Sequence, residues 1–93
     1  MKEKQIEQKL IRAVCRCGGL ALKLVSPGFN GVPDRLLLFM EGKVAFCEVK
    51  APGQKPRPLQ VHRIEQLRGM GFKVFVIDGV EQIGGMIDEI QKS

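Results

Sequence analysis

Apolar residues recur along this chain in two different periods. From residue 2 to about residue 17, Ile6, Leu10, Ile11, Ala13, Val14 and Cys17 share one arc when each residue is turned by about 100°. Lys2, Lys4, Gln5, Gln8, Lys9, Arg12 and Arg16 take the opposite arc, so an amphipathic helix is predicted there. Gly18-Gly19 stops it. Runs with strand character follow: "LALKLV" (20–25), "DRLLLFM" (34–40) and "KVAFCEVK" (43–50). The second and third are parted by Glu41-Gly42, which predicts a tight two-residue hairpin. "SPGFNG" (26–31) and "APGQKPRP" (51–58) are Pro/Gly loops, the latter basic. A helix is predicted from about Leu59 to Met70, anchored by Leu59, Ile64 and Leu67. A strand over "FKVFVI" (72–77) follows, then a last helix from Val80 to Gln91 with Ile83, Met86, Ile87 and Ile90 on one side. The order αβββαβα describes one α/β (α+β) domain over residues 1–93, a mixed sheet flanked by helices.

Charges break this pattern at four places. Asp34 opens one apolar strand, Glu48 and Lys50 close its neighbour, and Glu7 lies inside the apolar arc of the first helix. Glu3 shares that arc, but an acidic residue in a first turn complements the helix dipole. Glu7 is a turn deeper and needs a cation, a metal or a place at the core's rim. Strand side chains alternate faces, so Glu48 and Lys50 point the same way. Across a short hairpin, position 34 faces positions 48 to 50. Asp34, Glu48 and the carbonyl of Val49 between Glu48 and Lys50 then form a hard oxygen site suited to Mg²⁺ or Mn²⁺, with Glu7 as a further carboxylate. Lys50 stands where an ammonium can orient water or offset charge on a phosphoryl oxygen. The simpler alternative is a pair of sheet-capping ion pairs, Asp34 with Lys50 and Glu48 with an arginine.

Composition narrows the partners. The net charge is +5, and between Lys50 and Lys73 six basic residues face Glu65 alone. Such a concentration suits a polyanion, most often nucleic acid. Three cysteines, Cys15, Cys17 and Cys47, make no disulfide framework, and the C-x-C pair has no second ligand pair for zinc; buried or half-buried free thiols are expected. No apolar stretch approaches a membrane span and the charged N-terminus is unlike a signal peptide, so no membrane partner and a cytoplasmic location (the host's, if the chain is viral) are expected.

"GVPD" followed by "CEVK" resembles the P-D…(D/E)-x-K signature of restriction-endonuclease-like nucleases, with Asp34, Glu48 and Lys50 at its three positions. The chain is more narrowly similar to the virus-type replication-repair nuclease (VRR-NUC) domain. That family carries a glutamate on the first helix, then G-x-P-D, E-V-K, a Pro-containing basic loop and a glutamine opening the next helix. Here these are Glu7, Gly31 to Asp34, Glu48 to Lys50, "APGQKPRPLQ" and Gln60. The resemblance implies a metal-dependent phosphodiesterase acting on DNA, and a homodimer cutting branched substrates such as four-way junctions in repair. Under it, Asp34, Glu48, the Val49 carbonyl and Glu7 hold the metal. Lys50 positions the attacking water, Gln60 hydrogen-bonds that water or a phosphate oxygen, and Lys55, Arg57, Arg63 and Lys73 contact the DNA backbone. His62, beside Arg63, reads as a surface residue, and Phe29 as a wedge or a loop anchor. Competing readings are a DNA-binding module without catalysis, an interaction protein with a charge-capped sheet, and a nuclease acting on flaps, single strands or RNA.

Overall fold

The computed structural model describes residues 1–93. Helix α1 spans Glu3–Arg16, β1 Leu20–Lys23, β2 Arg35–Phe39, β3 Lys43–Val49, α2 Pro58–Gly69, β4 Lys73–Ile77 and α3 Ile83–Lys92. The strands form one sheet in the order β1-β2-β3-β4. The first two pairings are antiparallel and β3–β4 is parallel. A parallel neighbour needs a long crossover, and the stretch carrying α2 supplies it. No helix is long and apolar enough to cross a membrane.

Alternation along the strands sorts the sheet into two faces. Leu37, Phe39, Ala45, Cys47, Val49 and Ile77 point to one side, where Ile6, Leu10 and Val14 of α1 and Ile83, Met86, Ile87 and Ile90 of α3 close the core. The other face is covered only in part, by α2 packed on β4. There Ile64 and Val74 are buried, whereas Leu20 and Leu22 of β1 are 56% and 44% exposed.

Several expected boundaries shift. β1 ends at Lys23 rather than Val25, because the chain leaves the sheet for the Pro/Gly loop. The β2–β3 turn holds three residues, not two: Phe39 pairs with Lys43 around a 3₁₀ turn at Met40–Gly42. Glu41 (φ 66°) and Gly42 (φ 72°) are both left-handed, which lets the chain reverse sharply. A 3₁₀ turn at Val80–Gln82 precedes α3. Leu59 is 44% exposed, so α2 is anchored by Ile64, with half-buried Leu67, and, unexpectedly, by Gln60. Cys15 and Cys17 are exposed, contrary to expectation, because they sit on the last turn of α1 and just past it; only Cys47 is buried.

Candidate active site

The hairpin brings the central charges together. Arg35 pairs with Cys47, so Asp34 lies level with the residues that follow. Its Oδ2 accepts the Val49 N–H at 3.0 Å, which fixes the carboxylate at the end of β3. Glu48 is 2% exposed, and its Oε2 takes the Lys50 ammonium at 3.2 Å and the Gln60 amide at 2.8 Å. Its other oxygen, Oε1, is buried without a hydrogen-bond partner. Burial first, then the Asp34 charge, pushes the Glu48 carboxyl above the ordinary range, against the opposing pull of Lys50. Neither of the expected sheet-capping pairs forms: Lys50 pairs with Glu48 instead of Asp34, and no arginine reaches Glu48.

Gln60 reaches Glu48 because α2 begins beside it. Pro58 opens the helix, and Gln60 Oε1 accepts the Arg57 N–H at 2.8 Å, so one end of the amide caps the helix. Its NH₂ must then face Glu48, and at 8% exposure it is buried rather than a solvated first-turn residue. The preceding loop is seated on the same helix. Gly31 has φ +90°, and a Cβ there would stand 2.8 Å from Leu59 Cγ and 3.1 Å from Arg63 Cγ. With Pro33 fully buried, this close approach carries the chain to Asp34.

Glu7 does not join the two carboxylates directly. Arg35 Nε donates to Glu7 Oε2 at 2.9 Å, and Arg35 Nη1 donates to the Ala21 carbonyl at 3.3 Å. The sequence reading missed Arg35. Its signal was the strand parity that places it on the face of Leu37 and Phe39, under α1. Cys47 lies among all three acids: burial first, then Asp34, Glu48 and Glu7, pushes its thiol up to about 12.

The predicted backbone contacts separate into three groups. Lys55 and Arg57 are exposed on the loop after β3, which the Gly53 N–H ties to Asp78 Oδ2 at 3.1 Å. Arg63 is turned into the preceding loop: Nε donates to the Asn30 carbonyl at 2.8 Å and Nη1 to Gln66 Oε1 at 2.9 Å. Lys73 starts β4 opposite Ala45, at the far end of the sheet, and faces Glu89 at 3.7 Å. That placement sets Lys73 apart from the Asp34–Glu48 cluster, because β4 runs parallel to β3 and enters near where β3 begins. His62 is exposed on α2. The groove of about 540 Å³ between α1 and α3 shares no residue with this cluster.

No three acidic, cysteine or histidine side chains stand ready as a metal cluster, since Glu7 is committed to Arg35. The donor set of Asp34 and Glu48 nonetheless suits a hard divalent cation. Burial and the Asp34 charge raise the cost of ionising Glu48, and its unpartnered Oε1 is a buried acceptor lacking a donor.

A mixed sheet presenting Asp34, Glu48 and Lys50 at one end of a hairpin, beside a basic loop, defines the restriction-endonuclease-like nuclease class. Comparison with known proteins narrows this. The VRR-NUC domain profile matches residues 2–81. A solved "VRR_NUC domain" structure superposes with a TM-score of 0.88 at 31% identity, covering 95% of this chain and 96% of the other. A relative from Acyrthosiphon pisum secondary endosymbiont phage 1, named "Putative nuclease p44", is 46% identical over 78 residues, which is 84% of each chain. The chain belongs to the VRR-NUC family and is a nuclease domain.

Proposed function

We propose that this domain is a divalent-metal-dependent endonuclease that hydrolyses phosphodiester bonds in branched DNA, and that it works as a homodimer. The observation carrying the reading is the buried Glu48, with one oxygen unpartnered, between Asp34 and Lys50. Asp34, Glu48 and the Val49 carbonyl would hold Mg²⁺ or Mn²⁺, which when bound lowers the pKa of a water and polarises the scissile phosphate. Lys50 orients the attacking water and offsets charge on the phosphoryl oxygens. Gln60, its amide fixed by the helix start, holds the Glu48 carboxylate in place. Glu7 acts through Arg35, keeping that guanidinium folded under α1 at the residue that follows Asp34. Lys55 and Arg57 meet the DNA backbone without reading sequence.

The homodimer is supported by the uncovered sheet face. Leu20 and Leu22 pair with Leu38 and Leu36, which pair in turn with Val44 and Phe46. Phe72 extends the face, its ring edge-on to Phe46 at 5.6 Å. None of these positions carries a charge, so a second copy of the same face is complementary to it. Each chain builds one site, and two strands of a branched duplex need two.

The test incubates the protein with four-way junction, flap and linear duplex DNA in Mg²⁺, Mn²⁺ or EDTA, beside Lys50→Ala. Metal-dependent cutting lost in Lys50→Ala and strongest on the junction is expected. Cutting that persists in EDTA would sink the metal reading, and equal cutting of all three DNAs would sink the branch preference. Light scattering should give twice the chain mass for the wild type and the chain mass for Leu22→Glu; a monomeric wild type would refute the dimer.

A further inference from the structure

The five phenylalanines are not used alike. Phe39 is buried, Phe75 packs on the core, and Phe46 and Phe72 stack edge to face. Phe29 is 47% exposed in the loop leading to Asp34. Its N–H donates to the Ser26 carbonyl at 3.1 Å, closing a turn that lifts the ring out. The Arg63 guanidinium covers the ring at 3.8 Å from its centroid. That guanidinium is held by its bonds to the Asn30 carbonyl and Gln66, so it is a fixed backing rather than a mobile cation. The ring also borders a shallow apolar hollow of about 90 Å³, shared with Val32, Leu67 and Met70.

These supports lie on the loop and helix that also carry Asp34 and Gln60. Phe29 lies five residues before Asp34. Arg63 lies one helical turn after Gln60, and Gly31 seats the loop on both Leu59 and Arg63. An exposed aromatic ring is thus positioned by the same loop and helix that position Asp34 and the Glu48 amide contact. The chain has no tyrosine or tryptophan that could serve instead.

We infer that Phe29, backed by Arg63, is a stacking platform for an unpaired nucleobase next to the cleavage point. Every base offers a π-face, so such a platform tolerates sequence and selects for bases freed from pairing. The Arg63 Nη2 hydrogens remain for a phosphate oxygen of the same strand. The inference rests on the nuclease reading and deepens it: preference for branched DNA comes from the unpaired base at the branch.

The experiment measures binding in EDTA to two duplexes of equal length, one with a single unpaired 2-aminopurine and one fully paired. Wild type, Phe29→Leu and Phe29→Trp are compared, with melting temperatures recorded. The wild type should quench the probe and prefer the unpaired DNA. Phe29→Leu should lose the quenching and lower the preference by up to about 5- to 150-fold, the range that alanine substitution of stacking side chains gives. Phe29→Trp should keep both. Unchanged quenching and preference in Phe29→Leu would overturn the platform and leave Phe29 a loop anchor. Loss of both in Phe29→Trp with an unchanged melting temperature would overturn it as well. Metal-dependent cutting by the wild type is read separately, so a nuclease that cuts without preferring unpaired bases sinks this inference alone.

Discussion

Glu48→Gln should stabilise the metal-free protein while abolishing cutting. The wild-type carboxylate is 2% exposed, has an orphaned oxygen and lies beside Asp34. Leaving such a buried acceptor unsatisfied costs about 1–3 kcal/mol. An amide of the same shape still accepts the Gln60 hydrogen bond and removes the buried negative charge beside Asp34. What it gives up is the Lys50 contact at 3.2 Å. Lys50 is 15% exposed on a flexible stem, so its ammonium reaches water instead of being stranded. The raised Glu48 pKa states the balance: with Lys50 included, the site still disfavours the charge. A net gain of about 1 kcal/mol follows, or about 4–8 °C in a domain of this size. Its pH dependence has a fixed sign. The folded state holds the Glu48 proton more tightly than the unfolded chain, so stability from this group is full below its ordinary value of 4.5 and is lost as pH rises through the raised value. The advantage of Gln should be absent in acid and full at pH 8. Circular-dichroism melts in EDTA from pH 4 to 8 measure this, and added Mg²⁺ should raise the melting temperature of the wild type only. A fall of several degrees in Glu48→Gln at pH 8 would show that the Lys50 pair outweighs burial and Asp34, and would refute the reasoning.

Other outcomes follow from neighbouring features. Arg35→Met strands a half-buried Glu7 and should cost about 1–3 kcal/mol; Glu7→Gln in the same chain should recover much of it, and additive losses in denaturant melts would deny the coupling. Gly31→Ala meets both a left-handed φ and Leu59, so a loss of about 1–3 kcal/mol is expected, with cutting reduced further because Asp34 moves. An undiminished rate would mean that the loop does not position Asp34. With its thiol pushed up to about 12 and buried, Cys47 should resist a thiol reagent at pH 8 in the folded protein while Cys15 and Cys17 react. Mass spectrometry should count two labels when folded and three when unfolded.

The sequence disclosed the element order and the hairpin core of the site because both depend on short-range periodicity. Asp34, Glu48 and Lys50 lie within one hairpin, and alternation alone places them together. Gln60 was legible as a helix-opening glutamine, but its burial was not, since a first-turn polar residue is usually solvated. Arg35 was hidden because its partner, Glu7, lies 28 residues away on another element. The direction of β4 decided where Lys73 falls, and a strand's local pattern carries no mark of parallel pairing. Arg63 read as one cation in a basic run; its use by the 26–31 loop depends on a tertiary approach that Gly31 permits but does not announce.

The turn at Met40–Gly42 has a consequence for how this enzyme tolerates change. It lies at the opposite end of the hairpin from Glu48, and its residues touch nothing catalytic. Its length, however, decides which side of the sheet every later side chain in β3 takes. Val44, Ala45, Phe46 and Cys47 are apolar on both sides, so a chain one residue longer or shorter there could still make a hairpin. It would send Glu48 into the core layer and set a thiol or a valine opposite Asp34. A residue replacement at the tip leaves that parity intact, even where a left-handed φ at Gly42 makes it costly to the turn, whereas a single-codon insertion or deletion there, far from the chemistry, removes Glu48 from Asp34.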